Sequence, residues 1–130
     1  MAYYFSATLP VSFDVAVART TAALKAEGSG IITEIDVQKT LREKIGQEFR
    51  KYRILGACNP KFAYEALQLE DKIGTMLPCN VVVQELTGGK VEVAAIDPVA
   101  SMQAIDNPKL KEAAAQVGEK LRRVVAQLRD

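Results

Sequence analysis

The chain contains no histidine and no tryptophan among its 130 residues. Without histidine, the usual Ser-His-Asp and Cys-His relays cannot form, and the side chain that most often moves protons near neutral pH is missing. The commonest nitrogen ligand of zinc, copper and iron is missing as well. Without tryptophan, few large aromatic surfaces are left on which a base or a sugar could stack. The sequence therefore predicts no conventional catalytic residues and no metal site, and it favours a non-enzymatic function.

Cysteine, net charge and long apolar runs are also scarce. Two cysteines do not make a disulfide scaffold, and no run approaches the ~20 apolar residues of a membrane span. The first residues, MAYYFSATLPVSF, have neither the basic segment nor the apolar core of a signal peptide. A formal net charge of +1 gives no excess of charge to attract nucleic acid. We therefore expect a cytoplasmic protein with neither a nucleic-acid nor a membrane partner.

The order of the periodic segments predicts β α β α β α β β α. Helices are expected to begin after Asp36, at Asn59-Pro60 and at Asn107-Pro108, because these residues can cap a helix and proline is favoured at its first position. The clearest hairpin joins NVVVQEL to KVEVAAID through residues 87–89. Val81–Val83 is apolar on both faces, so this strand is predicted to be central in its sheet.

Adjacent antiparallel strands with helices on one face make an α+β two-layer sandwich, and the length fits one domain over residues 1–130. The segment EDKIGTMLPC is predicted to be an irregular connection. The final helix could close over its own sheet or pack on a second copy. Its apolar stripe consists of Leu110, Ala114, Val117, Leu121, Val124 and Leu128.

The first cysteine, Cys58, directly precedes the predicted cap Asn59. Its sulfur would therefore lie near the unpaired N–H groups of the helix that starts at Pro60, where negative charge is stabilised. Arg53 and Lys61 would add to this effect if they point the same way. The simpler interpretation is packing, because free cysteine is among the most often buried residue types.

The second cysteine, Cys79, lies between Pro78 and Asn80 at the start of the predicted central strand. If this strand neighbours YRILGA, both sulfurs could face one cleft. The spacing excludes a Cys-x-x-Cys redox motif, and two sulfurs without histidine cannot complete a zinc site within one subunit. A four-sulfur site shared between two subunits stays possible.

Other polar residues have a structural and a functional interpretation. Asn59 and Asn80 are cap or turn formers that could also bind the polar groups of a ligand. Asp36 is most simply a helix cap, although with Glu34 it could form a carboxylate pair on one face of a strand. Met76 and Met102 suit core packing, but in a chain without histidine they are also the neutral ligands left for a haem iron. Haem or another flat cofactor is therefore possible.

The segment GSGIITEIDVQKTLREKIGQEFRKYRILGACNPKFAYEAL, followed by GTMLPCNVVVQE and VAAIDP, resembles the bacterial and archaeal domain of unknown function 302 family. The resemblance runs from about Phe5 into the final helix. It implies a TATA-binding-protein-like fold, a curved and mainly antiparallel sheet with helices packed on it, and a homodimer, but no activity. By position, the family pattern falls on Asp36, Gly56, Cys58, Asn59, Pro60, Leu77, Pro78, Cys79 and Asn80.

Three functions remain open from the sequence. The favoured one is a dimeric module that binds a small molecule, such as a small acid, a sulfur species or a flat cofactor, at a site near the two cysteines. The second is a thiol-based redox or sulfur-handling protein that uses Cys58 and Cys79. The third is a structural or partner-binding dimer without a ligand, with Leu121 and Val124 at its interface. The candidate ligand-binding or redox residues are Cys58, Asn59, Pro78, Cys79, Asn80 and Asp36.

Overall fold

The structure is a computed structural model that describes residues 2–129. These residues form five strands and five α-helices, with a 3-10 helix at Asp71–Met76. The strands are β1 (Tyr4–Leu9), β2 (Gly30–Asp36), β3 (Tyr52–Cys58), β4 (Cys79–Glu85) and β5 (Val91–Ile96). The helices are α1 (Phe13–Ala26), α2 (Val37–Ile45), α3 (Pro60–Leu69), α4 (Pro98–Ser101) and α5 (Pro108–Leu128).

The strands form one antiparallel sheet in the order β1-β5-β4-β3-β2. The predicted hairpin is β4–β5, and β4 is the central strand, as its apolar character on both faces predicted. Helices α1 and α5 pack on one face of the sheet, and α3 packs against α5 and the 3-10 helix. The predicted α+β two-layer sandwich is confirmed. No helix within residues 2–129 is long and apolar enough to cross a membrane.

The core lies between the sheet and the long helix α5. Along β4, Val81 and Val83 are fully buried on the helix side, whereas Val82 points to the other face and is half-buried. On α5, Leu121 and Val124 are 2% and 1% exposed. The stripe of the final helix therefore packs on its own sheet, and these two residues are not available as a dimer interface.

Helix starts follow the predicted caps. The Oδ1 atom of Asp36 accepts the Lys39 N–H at 3.0 Å, and Oδ1 of Asn59 accepts the Phe62 N–H at 3.1 Å. The side chain of Asn107 accepts two backbone N–H groups at the start of α5. These side chains satisfy N–H groups that have no partner within their own helix.

Two segments differ from their sequence-based interpretation. The connection expected to be irregular contains the 3-10 helix, and the short helix α4 is not among the elements predicted from the sequence. Helix α2 has an apolar stripe at Val37, Leu41 and Ile45, but none of its residues is buried, and Ile45 is 64% exposed. The reason is its position, since α2 contacts chiefly β3 and the edge strand β2 and not the helical layer.

Candidate functional site

The two cysteines come together because β3 and β4 are neighbours. Ala57 pairs with Cys79 across the ladder, and Cys58 is the next residue of β3. The chain then enters α3 through Asn59, while Pro78, after a cis peptide bond, leads into β4. The end of β3, the start of α3 and the start of β4 therefore meet at one end of the sheet.

Close backbone approach at Gly56 makes this meeting possible. A Cβ atom on Gly56 would lie 2.0 Å from Oγ1 of Thr33 and 2.7 Å from Cγ of Pro78. Both distances are far below van der Waals contact, so only glycine fits there without displacing a neighbour. Gly56 thus lets the Pro78 ring lie directly on β3.

A cavity of about 320 Å³ opens at this place. Its walls are formed by α3 through Phe62, Ala63 and Leu67, and by α5 through Val117 and Leu121. The strand ends close it with Ala57, Cys58, Pro78 and Cys79. Its rim is also apolar, since Ile32 and Leu67 are 62% and 44% exposed.

The cavity has little polar lining. Among residues 2–129, the lining side chains that carry oxygen or nitrogen are those of Ser29 and Asn59. Ser29 is 8% exposed and follows α1, where its N–H donates to the Leu24 carbonyl at 2.9 Å. The candidate residues named from the sequence do not include Ser29. The available signal was a hydroxyl residue enclosed by two glycines between a helix and a strand.

The two thiols lie in different environments. Burial raises the pKa of Cys79 from its ordinary value of 9.0 to about 11, and the neighbouring Cys58 adds to the rise. Cys79 is therefore a neutral thiol near pH 7 and acts as an apolar wall. Cys58 is half-buried, and neither cysteine is in a disulfide.

Two of the predicted contributors lie elsewhere. The Arg53 guanidinium pairs with Glu34 at 3.1 Å and lies over the Phe13 ring, so it is not directed at Cys58. Asp36 caps α2 and lines a separate groove beside Phe13. Glu34 and Asp36 therefore do not act as a carboxylate pair, because Glu34 is in an ion pair and Asp36 caps a helix.

Asn80 also lies outside the cavity. It is on the sheet face away from the helices, where it lines a shallow groove of about 370 Å³ together with Tyr4, Val82 and Ile96. Of the six candidate residues, the structure brings Cys58, Asn59, Pro78 and Cys79 to the cavity, and it separates Asp36 and Asn80 from it.

Metal and haem binding find little support in the geometry. Within residues 2–129, no group of three or more histidine, cysteine or acidic residues is arranged to hold a metal ion. Met102 is buried in the core, and Met76 lies on the 3-10 helix. Neither methionine lines the cavity, so neither could ligate a haem iron placed there.

Fold and site define a small α+β protein with an apolar cavity where β3, α3 and β4 meet. Residues 5–128 match the family described as domain of unknown function DUF302, and the chain belongs to this family. A similar solved structure is that of an uncharacterized conserved DUF302 protein from Bacillus stearothermophilus. It is 25% identical, the similarity covers 98% of each chain, and the TM-score is 0.90. No curated protein is significantly similar to the chain.

Proposed function

We propose that the protein binds a small, largely apolar molecule in the cavity beside Cys58 and Cys79. The observation that carries the proposal is the cavity itself, about 320 Å³ in volume and lined almost entirely by apolar side chains. Small-molecule sites are typically apolar clefts of ~300–1,000 Å³ with a few polar groups. Exposed Ile32 and Leu67 at the rim offer an apolar entrance.

Filling the cavity tests this proposal. Ala63 is half-buried on α3 and lines the cavity, so Ala63→Leu would fill it with a side chain that helices tolerate well. The probe is N-phenyl-1-naphthylamine, a neutral molecule whose fluorescence rises in apolar surroundings. We expect the parent protein to bind the probe and Ala63→Leu to bind it at least tenfold more weakly.

The matched control is Ala115→Leu, the same change at an exposed position of α5 away from the cavity. This variant should bind the probe as the parent does. Absence of probe binding to the parent protein, or equal binding by both leucine variants, would contradict a ligand site in the cavity.

A thiol-based redox or sulfur-handling function is the alternative that the cysteines raise. The raised pKa of Cys79 disfavours it, because the thiolate is the reactive form. The pairing of Arg53 with Glu34 removes one cation expected near Cys58. This alternative would be favoured instead if Cys58 reacted with iodoacetamide much faster than a free thiol near neutral pH.

Two free cysteines suit the predicted cytoplasmic location.

The sheet face away from the helices suggests a homodimer interface. Val82, Ala94 and Ile96 are half-buried there beside the hydrogen-bonded Gln84 and Glu92, and Tyr3 and Tyr4 are 65% and 42% exposed. Five strands of about six residues present ~480 Å² in projection, more than half of the ~800 Å² that each partner contributes to a standard interface. A second copy is the proposed occupant, because two sheets of equal twist pack face to face.

Light scattering after size-exclusion chromatography tests the dimer. Val82→Glu would place a charge in the middle of the interface and should yield monomers. Val15→Glu, at a position 46% exposed on α1, is the control and should remain dimeric. A monomeric parent protein, or a Val82→Glu variant that stays dimeric, would exclude this interface.

A further inference from the structure

The division of the cavity into one polar end and an apolar body limits the kind of ligand that fits. Within the described part of the chain, no lysine, arginine, aspartate or glutamate lines the cavity itself. The side-chain oxygen and nitrogen atoms that these residues contribute belong to Ser29 and Asn59. A complementary molecule has one hydrogen-bonding end, while the rest of its surface is hydrocarbon.

The Ser29 hydroxyl lacks a partner. The residue is 8% exposed and lines the cavity, and its hydroxyl makes no hydrogen bond to any residue within 2–129. Within residues 2–129 no fully buried polar side-chain atom lacks a partner, so this hydroxyl oxygen is accessible from the cavity side. It can therefore donate a hydrogen bond to a polar ligand atom placed beside Ser29.

The polar end offers hydrogen-bond donors next to a helix N-terminus. The Oδ1 atom of Asn59 accepts the Phe62 N–H at 3.1 Å, and the two N–H groups of Nδ2 remain as donors beside the Ser29 hydroxyl. The positive end of the α3 dipole lies at the same place, since Asn59 is the N-cap of α3. The ligand end that fits is therefore an acceptor, and an anionic acceptor fits better than a neutral one.

Charged residues next to the cavity also favour an anionic ligand. A second groove shares Asn59 and Val117 with the cavity and is lined by Lys61, Lys120 and Glu65. Neither lysine belongs to an ion pair among residues 2–129. Two cations and one acid leave this adjoining groove positive, and the nearby Glu27, which also interacts with Lys120, is paired with Arg123.

We propose that the ligand class is an unbranched carboxylate, a molecule of the fatty-acid type. Its carboxylate accepts hydrogen bonds from Ser29 and Asn59, and its hydrocarbon chain fills the space between α3 and α5. This inference rests on the proposed function, because it names the ligand class of the same cavity.

Displacement of N-phenyl-1-naphthylamine tests the inference with three competitors that share one chain: octanoate, octanol and octylamine. Octanoate should displace the probe at a concentration at least tenfold lower than octanol, and octylamine should be the weakest. Along the series from hexanoate through octanoate to decanoate, each added methylene should tighten binding about fourfold until the cavity is full.

Two sets of variants assign the effect to the polar end. Ser29→Ala should weaken octanoate about tenfold and leave octanol nearly unchanged. Ser101→Ala, whose hydroxyl bonds the Pro98 carbonyl on α4 away from the cavity, is the matched control. The double change Lys61→Gln and Lys120→Gln should weaken octanoate severalfold and reduce its dependence on salt.

The outcomes separate the two proposals. Binding of the probe with equal displacement by octanoate and octanol would overturn the carboxylate class and leave the apolar site standing. Tighter binding of octylamine than of octanoate would also overturn it. Absence of probe binding to the parent protein would remove both proposals.

Discussion

Gly56→Ala is the most demanding test of the packing that forms the site. The new Cβ would lie 2.0 Å from Oγ1 of Thr33, 2.7 Å from Cγ of Pro78 and 3.3 Å from Cβ of Thr33. Thr33 is β-branched and stiff, and the proline ring is rigid, so neither can rotate away easily. Overpacking of this kind typically destabilises a protein by about 1–3 kcal/mol, and two contacts below 3 Å place Gly56→Ala near the upper end.

The assay is urea denaturation of the parent, Gly56→Ala and Gly30→Ala. Gly30 pairs with Cys58 on the edge strand, and a Cβ there would meet nothing within 4 Å, so this control should change stability little. Adding Thr33→Ala to Gly56→Ala removes the closest of the three atoms and should restore part of the lost stability. Equal stability of Gly56→Ala and Gly30→Ala would refute the close packing of Pro78 on β3.

Two further predictions concern titratable groups. Burial raises the pKa of Cys79 from 9.0 to about 11. The buried neutral thiol therefore contributes fully to the free energy of unfolding below pH ~9. This contribution is lost as pH rises toward ~11, which lowers the free energy of unfolding by about 2–3 kcal/mol. Cys79→Ala should lack this part of the pH dependence, and identical curves would contradict the burial. The Arg123 side chain hydrogen-bonds Glu27 at 2.9 Å and lowers the pKa of that carboxyl. Glu27→Gln should therefore lower Tm at pH 7, and the difference should shrink as pH falls below 4.5 and through the lowered pKa of the carboxyl in the parent protein. A difference that does not shrink with falling pH would indicate lost packing and not lost charge.

Local patterns were sufficient to predict most of the fold. The caps at Asp36, Asn59 and Asn107 depend on hydrogen bonds within three residues, which the sequence displays directly. The central place of β4 follows from apolar residues on both of its faces. Whether the apolar stripe of a helix is buried depends instead on neighbours that are distant in sequence. Periodicity alone therefore could not show that the stripe of α5 is buried and that of α2 is not.

The candidate site was predictable only in part. From the sequence, Cys58 and Cys79 were expected to meet only if the strand YRILGAC is a neighbour of the strand NVVV. The structure pairs these two strands. Asn80 was grouped with them because it follows Cys79, but alternation along the strand turns it to the other face of the sheet. Ser29 reaches the cavity from the end of α1, a placement that depends on the packing of the whole helical layer.

The cavity arises from small side chains at adjacent positions. Ala57, Ala63 and Gly74 line it where larger residues would fill the space between the strand ends and α3. The neighbouring Phe62 and Leu121 are buried and hold the walls in place. Interiors of proteins are close-packed, so an opening of about 320 Å³ at this place is consistent with a binding role.

Protection of Cys58 by a bound molecule tests the ligand site most directly, because this half-buried thiol lines the cavity. In a Cys79→Ala background, the rate of Cys58 alkylation by iodoacetamide would be followed by mass spectrometry, with and without saturating octanoate or N-phenyl-1-naphthylamine. We predict that a saturating ligand slows the reaction at least tenfold and that this protection disappears in Ala63→Leu. An alkylation rate unchanged by a ligand that demonstrably binds would place that ligand elsewhere and contradict the proposed site.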